Sequence, residues 1–176
     1  MSGGLGDDTL DGGGFVDVVS YLFSATAVDA NLTTGTVTGE GTDTLTGFEG
    51  LEGSRFDDTL TGDEGGNFFH PGNGDDTVDG GGGLTDMVSY VFSANAVTVD
   101  LSAGTATGQG TDSLTGIEWV DGSSFHDTIT GDAGANNLWG EAGDDSLDGG
   151  LGTDSIDGGD GTDTCLNGED NTSCEA

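Results

Sequence analysis

A single basic residue, Arg55, stands against 34 acidic ones in this 176-residue chain, for a formal net charge of −33. With no basic patch to neutralise phosphates, nucleic acid is excluded as a partner. Apolar residues are also scarce, at 31%. No run of them approaches the length of a membrane span, and Met1 leads directly into glycine-rich sequence without a signal peptide. No window shows the apolar period of an amphipathic helix, so helix is not expected. The two histidines, His70 and His126, occupy non-equivalent positions in their repeats, neither recurs with a nearby Cys or Ser to form a nucleophile pair, and both read as surface turn residues. No catalytic constellation emerges, and the chain reads as a non-enzyme. Zinc lacks the Cys and His clusters that it needs. Low hydrophobicity with high net charge is the composition of disorder, and a compact state would repel itself unless counter-ions bind.

Glycine, by contrast, is abundant, with 37 residues. The segment from Gly140 to Leu166 reads GEAGDDSLD, GGLGTDSID, GGDGTDTCL, three copies of a nine-residue pattern G-G-x-G-x-D-x-U-x in which U is apolar. Glycines at positions one, two and four permit positive φ and close backbone approach, so six residues turn sharply while aiming carbonyl oxygens inward. Position six adds a carboxylate. Oxygen-only ligands, about six to eight of them at ~2.3–2.6 Å, suit a hard cation such as Ca²⁺. Residues seven to nine form a short strand whose middle side chain (Leu147, Ile156, Cys165) faces a core. One apolar side chain per unit needs neighbours stacked above and below, which makes the array a solenoid.

This pattern resembles the RTX (repeats-in-toxin, hemolysin-type) calcium-binding β-roll. The resemblance implies an all-β, right-handed parallel β-roll or β-solenoid without helices, two nonapeptides to a turn, and calcium held between loop n and loop n+2 on one edge.

A longer period overlies the short one. Tyr21–Asp63 aligns with Tyr90–Asp132 at an offset of 69 without a gap; upstream the offset is 68, because Gly80–Gly83 carries one glycine more than Gly12–Gly14. Residues 1–176 read as one continuous solenoid, with large repeats at about 1–70 and 71–139 and terminal nonapeptides and a cap at 140–176. The first copy starts mid-unit, so the chain is expected to be a piece of a longer array. Val28, Ala30 and Leu32, like Val97, Val99 and Leu101, alternate as half-buried strands. The Ser20-Tyr21 and Ser89-Tyr90 pairs open a wider coil, and Trp119, Trp139, Phe56 and Phe125 are expected to cap or fill core layers.

The glycine register places candidate metal ligands. Good loops end in Asp8, Asp76, Asp145, Asp154 and Asp163, and looser ones in Asp17, Asp58, Asp86 and Asp127. Two end in Asn67 and Asn136, and Gly39–Asp43 and Gly108–Asp112 fit positions two to six. Gly140, Gly143, Gly149, Gly152, Gly158 and Gly161 shape the three terminal loops. The n to n+2 rule pairs Asp127 with Asp145, Asn136 with Asp154, Asp145 with Asp163, Asp58 with Asp76 and Asn67 with Asp86. Sites with Asn keep an oxygen but lose charge and should be weaker. Asp8 and Asp17 are read as half-sites whose downstream partners fall in the Tyr21–Val37 coil, to be completed by upstream repeats or by a neighbouring molecule. Roughly five to nine ions follow if each is shared between two loops.

Cys165 and Cys174, the only cysteines, read as a disulfide that staples the end of the solenoid in an oxidising compartment, with a free thiol pair as the alternative. The expected function is a secreted, extracellular or cell-surface structural β-roll, disordered without calcium and folded with it. The alternatives are a self-assembling surface-layer, fibre or matrix protein, an accessory domain of a secreted enzyme or toxin, and an adhesion or ice-binding module. Thr36-x-Thr38, Thr42-x-Thr44 and Thr105-x-Thr107 suggest the last, with too few ranks for a broad flat array.

Overall fold

The computed structural model describes residues 1–174, and every regular element among them is a strand. The first large repeat holds β1 (Thr9–Asp11), β2 (Val18–Ser20), β3 (Asp29–Asn31), β4 (Thr36–Thr38), β5 (Thr42–Thr46), β6 (Gly50–Glu52), β7 (Thr59–Thr61) and β8 (Phe68–His70). The second holds β9 (Thr77–Asp79), β10 (Met87–Ser89), β11 (Thr98–Asp100), β12 (Thr105–Thr107), β13 (Thr111–Thr115), β14 (Trp119–Asp121), β15 (Thr128–Thr130) and β16 (Asn137–Trp139). The terminal nonapeptides add β17 (Ser146–Asp148), β18 (Ser155–Asp157), β19 (Thr164–Leu166) and β20 (Asp170–Thr172).

These strands form a twelve-stranded sheet, ordered β1-β5-β4-β3-β7-β9-β13-β12-β11-β15-β17-β19, and an eight-stranded sheet, ordered β2-β6-β8-β10-β14-β16-β18-β20. The chain steps from one sheet to the other at each nonapeptide and returns to pair in parallel with its own earlier strand, as Thr128 does with Ser146 and Ser146 with Thr164. Two nonapeptides therefore make one coil of a β-roll.

The stretch after Ser-Tyr is not a wider coil. β3 and β4 pair antiparallel, β4 and β5 likewise, and β5 then lies parallel beside β1 while β3 lies parallel beside β7. The second repeat builds the same three-stranded meander from β11, β12 and β13. Each meander adds strands to the twelve-stranded sheet alone. Gly35, at φ 64°, takes the left-handed conformation at the β3–β4 turn, a conformation that costs a side chain strain.

Alternation along each strand sets the core. Val19, Leu51, Phe69, Val88, Val120, Leu138 and Ile156 project from one sheet, and Leu60, Val78, Ile129 and Leu147 from the other, all at 0% exposure. Each such side chain contributes about 1.5–3 kcal/mol on burial. Cys165 sits in register with Leu147, packs at the end of this column and is disulfide-bonded to Cys174 across a Cα–Cα distance of 5.8 Å.

Trp119, Trp139, Phe56 and Phe125 do not fill core layers, which instead take Phe69, Tyr21 and Tyr90. Phe56 and Phe125 are exposed, and Trp119 and Trp139 lie on the outer face of the eight-stranded sheet with rings 5.7 Å apart, because their strand neighbours Val120 and Leu138 take the inward positions. His70 is likewise no turn residue: it is on β8, half-buried, with Nδ1 3.1 Å from the Ser89 carbonyl oxygen and its ring 4.5 Å from that of Phe68. His126 does lie on an exposed turn.

Threonine forms more ranks than its T-x-T pairs suggest. It occupies outward positions on ten strands of the twelve-stranded sheet, whereas Thr172 on β20 is the only strand threonine of the other sheet. One rank runs Thr111, Thr107, Thr98, Thr128, Ser146, Thr164 across six adjacent strands. The strand pairing brings single threonines of separate nonapeptides into line, which dipeptide spacing does not reveal.

Candidate metal centre

Each six-residue turn is shaped around its last side chain. In the loop ending at Asp145 the carboxylate folds back over its own turn, so that a Cβ on Gly140 would stand 2.5 Å from Asp145 Oδ2. Gly149 and Gly158 back Asp154 and Asp163 in the same way, at 2.7 Å. The fourth glycines bend the chain instead: Gly143 and Gly152 hold φ of 149° and 145°, and Gly161 follows suit. Position one thus serves close approach, and position four serves both conformation and close approach, since a Cβ on Gly143 would collide with the Phe125 carbonyl oxygen.

The sixth residues of successive coils stack into a column at each edge of the roll. On the edge where the chain enters the twelve-stranded sheet, the backbone N–H of each residue donates to the carboxylate one coil on: Asp8 to Asp43 (3.0 Å), Asp58 to Asp76 (2.8 Å), Asp76 to Asp112 (3.2 Å), Asp127 to Asp145 (2.7 Å) and Asp145 to Asp163 (2.8 Å). On the opposite edge Asp17 donates to Glu49 (3.0 Å), Asn67 to Asp86 (2.8 Å), Asp86 to Glu118 (3.1 Å), Asn136 to Asp154 (2.9 Å) and Asp154 to Glu169 (2.6 Å). The fifth residues make an outer ladder of opposite sense, in which Asp75 N–H donates to Asp57 and Asp144 N–H to His126 Nδ1.

Electrostatically these columns are unfinished. Asp58, Asp76, Asp86, Asp112, Asp127, Asp145, Asp154 and Asp163 are buried at 3% exposure or less. Among the described residues the one basic side chain, Arg55, lies exposed over the Phe56 ring. The Oδ2 atoms of Asp8, Asp76, Asp145 and Asp154 are buried with no hydrogen-bond partner. Burial, compounded by neighbouring carboxylates, pushes the pKa of Asp76 up to about 7 and those of Asp86 and Asp145 to about 6. A buried anionic oxygen without a donor is costly, and a cation removes that cost.

The donor set fits calcium. Among the described residues no three His, Cys, Asp or Glu side chains converge on one point. The arrangement offers instead one carboxylate from each of two coils, with main-chain carbonyls of the glycine turns around them, the oxygen-only chemistry of a hard cation.

Two sequence readings need correction. Asp8 and Asp17 have downstream partners in this chain, Asp43 and Glu49. The meander carries the chain out and back, so the strand beside β1 is β5, reached after the Tyr21–Val37 stretch and not within it. Second, Glu49, Glu118 and Glu169 occupy sixth positions without the glycine register that marks the other loops. Their signal is the spacing to the next inward residue: Glu49 precedes Leu51, and Glu118 precedes Val120, by the same two steps that separate Asp145 from Leu147. The other candidates, Asp58, Asn67, Asp76, Asp86, Asp112, Asp127, Asn136, Asp154 and Asp163, all lie in the two columns.

A roll of parallel strands whose turns stack buried carboxylates between coils is a calcium-binding β-roll. The model of the RTX calcium-binding nonapeptide repeat matches residues 1–19, 51–84, 112–147, 121–156, 130–165 and 143–173, more than half of the chain, and the protein belongs to that family. The unmatched stretches 20–50 and 85–111 hold most of the two meanders. Comparison with curated proteins finds no match. RTX repeats are structural calcium-binding elements.

Proposed function

We propose that this chain is one continuous, secreted structural β-roll that folds when it meets calcium outside the cell. The observation that carries this reading is the set of buried, partnerless Oδ2 atoms on Asp8, Asp76, Asp145 and Asp154, stacked in register with carboxylates one coil away. In the absence of a cation, repulsion within a chain of charge −33 opposes compaction; an ion between coils replaces that repulsion with a cross-link. Asp8, Asp43, Asp58, Asp76, Asp112, Asp127, Asp145 and Asp163 serve one edge, and Asp17, Glu49, Asn67, Asp86, Glu118, Asn136, Asp154 and Glu169 the other. The Cys165–Cys174 disulfide suits an oxidising compartment. Far-UV circular dichroism with calcium titration tests the reading: strand signal should rise with calcium, and a signal equally strong in excess EGTA overturns it.

A second reading has its own observation, the threonine ranks. A threonine-rich face on one sheet, against a single strand threonine on the other, points to contact with an external surface. With twelve strands against eight, that face is the broader one, and adhesion to a polymer is the activity expected of it. Retention on insoluble polysaccharide without thermal hysteresis is the expected outcome, and neither activity would dismiss it.

A further inference from the structure

The carboxylates of the columns fall into two groups. Against the partnerless Oδ2 atoms of Asp8, Asp76 and Asp145 stand four that protein donors already satisfy. Tyr21 Oη donates to Asp43 Oδ2 at 2.8 Å, and Tyr90 Oη to Asp112 Oδ2 at 2.9 Å, both phenols being buried. Asp58 accepts from Ser54 N–H, from Ser54 Oγ at 2.9 Å and from Val28 N–H at 2.7 Å. Asp127 accepts from Ser123 N–H, and from Ser123 Oγ and Val97 N–H, each at 2.7 Å.

The opposite edge changes at the same two places. Asn67 Nδ2 donates to the Glu49 carbonyl at 3.4 Å, and Asn136 Nδ2 to the Glu118 carbonyl at 3.3 Å. Elsewhere in that column the sixth residue is an acid. The tyrosine and serine donors lie where a meander separates strands that would otherwise be neighbours, β5 from β7 and β13 from β15; the asparagines lie at the same level on the opposite edge, where β6 pairs directly with β8 and β14 with β16. The two seams sit at equivalent positions of successive repeats and carry equivalent residues.

We propose that at these seams hydroxyl and amide donors stand in for calcium, dividing the roll into three separately cross-linked blocks. This rests on the calcium reading and refines it. The first block stacks Asp8 on Asp43 and Asp17 on Glu49. The second stacks Asp58, Asp76 and Asp112, with Asn67, Asp86 and Glu118 opposite. The third stacks Asp127, Asp145 and Asp163, with Asn136, Asp154 and Glu169 opposite. Every completed meander closes one block with a tyrosine and opens the next with a serine and an asparagine. An O–H or N–H directed at an oxygen supplies a fixed fraction of positive charge, independent of calcium concentration. The seams therefore hold at calcium levels that leave the blocks empty.

Calcium-specific anomalous scattering from crystals of the full chain grown with calcium tests the assignment. Peaks are expected between stacked residues inside the blocks, and none within bonding distance of Asp43 Oδ2, Asp112 Oδ2 or the Glu49 and Glu118 carbonyls that the asparagines hold. A calcium ion on any of those four atoms overturns the proposal. A folded roll with no calcium peak overturns instead the calcium reading beneath it. Equilibrium calcium binding to Tyr90→Phe adds a second readout, since phenylalanine keeps the ring and strips the phenol. An ion count equal to the native one, or one higher, supports the seam; a count one lower shows that the phenol helps to hold a metal, and overturns it.

Discussion

Asp145 takes part in two inter-coil contacts, receiving the N–H of Asp127 and donating its own to Asp163. Its carboxylate is buried and Oδ2 has no donor. Asp145→Ala should therefore abolish the ion on each side of it, a loss of two read by isothermal titration or metal analysis. Asp148→Asn, at an outward position on β17, should leave the count unchanged. Gly140→Ala probes the same site from the backing side. The added methyl would lie 2.5 Å from Asp145 Oδ2 and from the Gly158 carbonyl, so it displaces the carboxylate and should weaken calcium binding by at least tenfold. A fold held by that glycine's backbone conformation alone would lose stability at equal affinity, which is the opposite outcome.

At the scale of the element, the nonapeptide strand is legible because its three constraints are local: glycine for the turn, carboxylate for the edge, one apolar residue for the core. The meander is not. The alternation of Val28, Ala30 and Leu32 identifies β3 as a strand, yet period-two alternation is the same whichever way a strand runs, so the reversal at Gly35 and the return of β5 to β1 are invisible to it. Glu49 and Glu118 escaped for a related reason. A longer side chain reaches the column from a turn that lacks the glycine pattern, and only the step to the next buried residue marks it. The disulfide was legible from Cys165 and Cys174, the only cysteines, the first of which holds an inward position. Reducing that disulfide in calcium should cost about 2–3 kcal/mol by the chain-entropy estimate for so short a loop, measured as a shift in urea midpoint. An unchanged midpoint would assign the capping to packing instead.

At the scale of the whole molecule, the same buried carboxylates that await a cation set the pH response of the calcium-free chain. Burial pushes Asp76 to about 7, and Asp86 and Asp145 to about 6, against an ordinary value of 3.8. An acid whose pKa is raised by folding binds its proton more tightly in the roll than in the unfolded chain. Its contribution to stability is therefore fully present below 3.8 and is lost as pH rises through 6 to 7. Lowering pH also removes negative charge from the rest of the chain, which acts in the same direction. In excess EGTA the strand signal should thus grow as the solution is acidified from neutrality towards the ordinary aspartate range. Calcium reverses the dependence, because the ion competes with protons for the same oxygens: its affinity should fall as pH drops through the same window. Circular dichroism along both pH series decides the matter. A calcium-free chain equally unfolded at both ends of the window would mean that carboxylate repulsion is not what keeps it open, and that the ions supply contacts the protonated side chains cannot.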